Sequence, residues 1–161
     1  MRYLSIAFVA LIGCKGGGGS GDVPPPKMDS AKSTAESLVV ALKAKSLPAV
    51  QALLPGPDQL GKVLDCDVAA LATKLKAEAE KELKDVPEGN TVELGAFDKF
   101  GSEEKAFKVG DEWQGCKVKA AWSLHKSKVE LHFLHESKTD FKDVVMRFAQ
   151  FPGDDKWYYL R

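Results

Sequence analysis

The sequence predicts an α+β domain in which helices come first and an antiparallel sheet follows. Three observations carry this. Apolar residues recur with the 3.6-residue period of a helix as far as about Lys84. After Pro87-Glu88-Gly89-Asn90 they alternate with polar residues instead, the period of a strand. Helices and strands that are segregated along the chain, rather than interleaved, mark the α+β class. The third observation is size: 161 residues, 44% of them hydrophobic, suit one domain with a modest core. Lys plus Arg and Asp plus Glu number 23 each, so no charge excess draws the chain to nucleic acid or to a cationic partner.

The elements begin with an apolar run from Tyr3 to Gly13, preceded by Met1 and Arg2. The run is far shorter than the roughly 20 residues that span a bilayer. It has the length of a signal-peptide core, with Arg2 as a short positive start. No later segment has a continuous apolar run of spanning length. Leu11-Ile12-Gly13-Cys14 resembles the lipobox of bacterial lipoprotein precursors. The resemblance implies removal of residues 1–13 as a signal peptide and attachment of lipid to the sulfur of Cys14. The small Gly13 and the apolar Leu11 suit the processing protease. An ordinary signal peptide would need a cleavage site of A-x-A type, and none follows the run. The implied partner is the lipid bilayer, held through two or three acyl chains on Cys14, enough for stable attachment. Lys15 in place of Asp after the cysteine points, by the same resemblance, to the periplasmic face of the outer membrane if the host is Gram-negative.

Residues 14–28 read as the lipidated cysteine and a tether. Gly16 to Gly21 has almost no side chains to pack and behaves as random coil, while Pro24-Pro25-Pro26 stiffens the chain as polyproline II. The rival reading of a glycine cluster is a phosphate-binding loop. It fails because no Gly-Lys-Ser/Thr follows and no strand precedes.

Residues 29–161 read as a single α+β domain. In "SAKSTAESLVVALKAK", Ser33 and Glu36 have capping-box spacing and Ser30 is an alternative cap. Ala31, Ala35, Leu38, Val39 and Leu42 fall on one helical face. Pro48 opens a second, short helix that Pro55-Gly56-Pro57 ends, and "DQLGKVL" forms another turn or two. A long helix is expected from Asp67 to Lys84, with Val68, Leu71, Ala72, Leu75, Ala79 and Leu83 inward. Its outer face carries Lys74/Glu78, Lys76/Glu80 and Glu80/Lys84 at four-residue spacing, a solvated face or, alternatively, a partner-binding one.

Strands are expected in "TVELGAFDKF" and "EKAFKV", with a turn at Gly110-Asp111. "GCKVKAAWSLH" and "KVELHFLHE" read as two strands of a hairpin turning at Lys126-Ser127. "VVMRFAQF" and "KWYYL" form a last pair joined through Pro152-Gly153-Asp154-Asp155. This order of about three helices and then five or six strands resembles the NTF2-like superfamily and related cystatin-like domains. "AESLVVALKAKSLPAVQALLP" looks like their opening and "GDDKWYYLR" like their closing strand. The resemblance implies a curved sheet that wraps helices into a cone. It departs from that pattern in showing no strand between the early helices and the long one.

Setting Cys14 aside leaves Cys66 and Cys116, which export would allow to form one disulfide; two separate buried thiols are the alternative. No C-x-x-C spacing suggests zinc. The hairpin register puts His125 and His132 on one face, about 13 Å apart along the ladder, and His135 on the other with Val129, Leu131 and Phe133, so no metal site is expected. No G-x-S-x-G occurs. The acidic residues Glu93, Asp98 and Glu130 alternate with apolar neighbours and are expected on the solvent face. Trp113, Trp122, Trp157, Tyr158 and Tyr159 either line a pocket or fill the concave side of the sheet. The expected function is a lipid-anchored envelope domain without catalytic residues or cofactor, binding a protein or a small apolar ligand. A small enzyme using a cone pocket, or a structural or assembly factor, are the alternatives.

Overall fold

The computed structural model describes residues 23–86, 91–136 and 138–160. The expected signal peptide, Cys14, the glycine-rich part of the tether and the turn at 87–90 lie outside the described residues.

Four helices come first. α1 (Ala31–Lys43) starts at Ser30, not Ser33. The Ser30 hydroxyl accepts from the Ser33 N–H at 3.1 Å, and the Ser33 hydroxyl accepts from the Ser30 N–H at 3.0 Å, a reciprocal cap closed by serine where glutamate is usual. Its expected stripe, Ala31, Ala35, Leu38, Val39 and Leu42, is buried. α2 (Leu47–Gln51) and α3 (Pro57–Val63) each carry proline in the first turn, where its missing N–H costs no helix bond. α4 (Val68–Lys84) is capped by Asp67, whose carboxylate accepts from the Ala70 N–H at 3.0 Å. Leu71, Ala72, Leu75 and Ala79 face inward, and Lys84 bridges to Glu80 across 2.7 Å on the outer face.

Two antiparallel sheets follow. The small one has the order β1-β5-β4, from Leu64–Asp65 (β1), Cys116–Val118 (β5) and Glu112–Trp113 (β4). β1 is the strand between the early helices and α4 that the sequence did not reveal; two residues are too few to show a period. The large sheet has the order β2-β6-β7-β8, from Thr91–Leu94 (β2), Trp122–His135 (β6), Lys138–Gln150 (β7) and Trp157–Leu160 (β8). β3 (Ser102–Phe107) pairs with the first half of β6 on the side where β2 pairs with the second half. The large sheet is strongly curled, a half-barrel compatible with a cone.

Two expectations are corrected here. "GCKVKAAWSLH" is not one strand: it breaks at 119–121, where the Lys119 N–H donates to the Val63 carbonyl at 2.8 Å, and its two halves belong to different sheets. Nor does the chain turn at Lys126-Ser127. β6 runs straight through, paired with β7 without interruption from Ser123↔Gln150 to His135↔Lys138. The broken alternation has another cause. Trp122 and Leu124 are buried on one face of β6, and Ser127, Val129 and Leu131 on the opposite face. The first face is covered near Trp122 by Trp113 of the small sheet, edge-on at 5.3 Å. The second turns toward α1. A change of covered face and a turn leave the same slip in the sequence pattern.

The sulfurs of Cys66 and Cys116 lie at disulfide distance, with Cα atoms 5.3 Å apart. The link joins the residue before the α4 cap to the first residue of β5. The last tether residues lie against the domain. Lys27 and Ser37 exchange hydrogen bonds of 2.9 and 3.1 Å, and the Met28 carbonyl accepts from the Trp157 N–H at 2.7 Å.

Candidate functional site

A cleft of about 250 Å³ opens between α1, the C-terminal end of α4 and the α1-facing side of the large sheet. Helical spacing brings Leu38 and Leu42 to it from α1, one turn apart. Strand alternation brings Leu131 and Phe133 from β6, and register sets Leu131 opposite Lys142 of β7, whose Val144 and Met146 follow on the same face. At its base the Tyr159 hydroxyl donates to the Glu82 carboxylate, 2.9 and 3.1 Å from the two oxygens. The length of α4 carries Glu82 there, in its last turn. Asp85 and Lys142, both exposed, put opposite charges on the rim. The arrangement offers apolar walls to a small molecule and a few polar groups to orient it, the composition of ligand sites generally.

The histidines do not converge. Because β6 is continuous, His125 shares its face with Ser127, Val129, Leu131, Phe133 and His135, and His132 lies opposite with Glu130; this reverses the expected grouping. His125 Nδ1 is 3.1 Å from Glu104 and its Nε2 is 4.0 Å from Asp98, with the ring edge-on to Trp157. His132 Nε2 is 2.8 Å from Glu130, with the ring edge-on to Phe141 at 4.8 Å. His135 is exposed at the strand end. Among the described residues no three His, Cys, Asp or Glu side chains are placed to hold a metal ion.

The three strand carboxylates part company. Glu93 is exposed as expected, 3.9 Å from Lys43. Asp98 instead turns to the buried Ser127 and accepts its hydroxyl proton, which satisfies the one polar residue in the buried file of β6. Glu130 is largely covered, held by Lys99 and His132. The Lys99 ammonium, and after it His132, keep its carboxyl below the usual glutamate value.

The aromatic residues divide by face. Trp122 stacks on Phe107 at 4.7 Å and is followed by Phe151 and Tyr158, a buried file that fills the core. Tyr159 alone of the five aromatics flagged in the sequence lines the cleft. Sequence reasoning missed Glu82, Asp85, Val86, Lys142 and Met146. Glu82 reads locally as one more charge on a solvated helix, and only its contact with Tyr159, 77 residues on, marks it out. Comparison of the chain with protein-family models, with curated proteins and with solved structures gives no match.

Proposed function

We propose that this chain is an exported lipoprotein, anchored through acylated Cys14 to a bacterial membrane, the periplasmic face of the outer membrane in a Gram-negative host, and that its NTF2-like domain binds a small apolar ligand in the cleft. The observation that supports the binding role is the cleft itself. Leu131, Phe133, Val144 and Met146 present side chains inward around an opening that the protein's own residues do not fill. A filled cone would instead favour a purely structural part. Apolar walls with a charged rim fit a ligand with an apolar body and a small polar end. Anchoring is supported by the apolar run, the lipobox-like Leu11-Ile12-Gly13-Cys14 and the linker after it. No helix among the described residues is long and apolar enough to cross a membrane.

Fluorescence of anilinonaphthalene sulfonate tests the binding role. The folded protein should enhance it, and Val144→Trp, which adds a large side chain at the half-buried wall, should abolish the enhancement while the melting transition stays cooperative. Undiminished enhancement in Val144→Trp would move the site elsewhere.

A further inference from the structure

We propose that the free edge of β7 is a homodimer interface, on which two copies of this chain pair antiparallel about a two-fold axis at Phe141. β8 pairs only with Arg147–Gln150, so no described strand covers β7 from Lys138 to Met146 on the side away from β6. An edge this long is a template for another strand. It carries two exposed large apolar residues, Phe141 at 64% and Val145 at 45% exposure. Lys138, Asp140, Lys142 and Asp143 interrupt it with charge, the usual protection against indiscriminate pairing.

These charges discriminate between adjacent registers. A two-fold axis through the sheet keeps each residue on its own face, so residues that oppose each other across the interface must both be even or both be odd in number. With the axis at Phe141, Phe141 meets its own copy, Asp140 meets Lys142, Lys142 meets Asp140, and Lys138 meets Val144. Both cross-strand ion pairs are favourable and the exposed aromatic is covered by its equivalent. With the axis moved to Asp140, Asp140 faces Asp140 and Lys138 faces Lys142. With the axis moved to Lys142, Lys142 faces Lys142. Each neighbouring two-fold register therefore opposes like charges, which is destabilising directly across a ladder. The His132 ring, edge-on to Phe141, holds that side chain on the face where its copy would lie. This reading does not depend on what the cleft binds or on the anchor.

Cysteine cross-linking in the full chain tests it. Residues directly opposed in an antiparallel pair have Cβ atoms about 4.5–5.5 Å apart. Phe141→Cys should therefore give a disulfide-linked dimer on non-reducing gels. Thr139→Cys, also at an exposed position, should not, because its copy lies about 13 Å along the ladder. Adding Lys142→Asp to Phe141→Cys should abolish the dimer, since Asp140 then faces a carboxylate. Adding Asp140→Lys as well should restore it. Equal cross-linking at positions 139 and 141, or failure of the double charge exchange to restore the dimer, overturns the proposal. These positions are exposed, and cooperative melting of each variant checks that the fold is intact.

Discussion

Tyr158 donates its hydroxyl proton to Asp154 across 2.9 Å, bridging β8 to the turn that leads into it. Burial and then the hydrogen bond to Asp154 push the phenol up to about 12. Burial works against the Asp154 carboxylate too. The Lys156 N–H, the Tyr158 hydroxyl and the Lys62 charge outweigh it and hold the group below its ordinary value. The two signs predict two flanks. The contribution of Asp154 is present above the ordinary carboxylate value of 3.8 and is lost as pH falls through the lower folded value. That of Tyr158 is present below the ordinary phenol value of 10.0 and is lost as pH rises from there to about 12. Tyr158→Phe should lower stability by about 1–2 kcal/mol near neutrality and flatten the alkaline flank of a plot of Tm against pH. An unchanged alkaline flank would show that another group sets it.

The link between Cys66 and Cys116 spans 50 residues and ties the start of α4 to the small sheet. Closing a loop of that length stabilises by about 4 kcal/mol in the chain-entropy model. Denaturant unfolding of Cys66→Ala/Cys116→Ala, or of the wild type with reductant, should show a loss of this order. Alkylation of the unreduced folded protein should leave both residues unmodified.

Much of this fold is legible in the sequence because the helices are amphipathic and well capped. Asp67 and Lys84 bound α4 within a residue, and the α1 stripe is buried as its spacing requires. What was illegible has physical reasons. β6 changes its covered face between Leu124 and Ser127, and a one-dimensional pattern cannot tell that from a turn. β7 starts well before its buried residues because the stretch from Lys138 to Asp143 is an exposed edge. The cleft was half visible. Its apolar walls follow from alternation, but the Glu82–Tyr159 contact depends on packing between distant elements.

Gly95 predicts a steric effect. A Cβ there would stand 2.7 Å from His132 Nε2, closer than real Cβ contacts come, and 3.0 Å from the Glu130 carbonyl oxygen, tighter than most of them. The Gly95 N–H also donates to that carbonyl at 2.8 Å, which fixes the backbones together. Gly95→Ala should cost about 1–3 kcal/mol. Adding His132→Ala should recover part of the loss, because the imidazole clash disappears while the backbone contact remains. Strict additivity of the two changes in a double-mutant cycle would mean that the ring simply moves aside.

Trp122 and Phe133 lie on opposite faces of β6 and should respond differently. Trp122 is 5% exposed and touches three other aromatic rings, so Trp122→Ala should cost about 3–5 kcal/mol. Its Nε1 has no hydrogen-bond partner among the described residues. Trp122→Phe removes that buried N–H along with some volume and should cost under about 1.5 kcal/mol. Phe133 is half-buried at the cleft, and Phe133→Ala should cost only about 1–2 kcal/mol while weakening probe binding. Equal destabilisation by the two alanine variants in urea would place Phe133 in the core and close the cleft.

The anchor rests on chemistry at a single sulfur. If Cys14 is acylated, its acyl chains hold the domain at the membrane; no helix among the described residues is long and apolar enough to cross one. Cys14→Ser removes the acceptor thiol, and with it both the lipid and the processing that follows lipidation. Metabolic labelling with a radioactive fatty acid should mark the wild-type band and leave the variant unmarked. The variant should then either keep its leader at precursor mass or, if trimmed by another protease, appear in the soluble envelope fraction. A labelled Cys14→Ser band, or a variant cut before residue 14 that still sediments with membranes, would overturn the lipoprotein reading and leave the cleft to be understood in a protein that is not held by lipid.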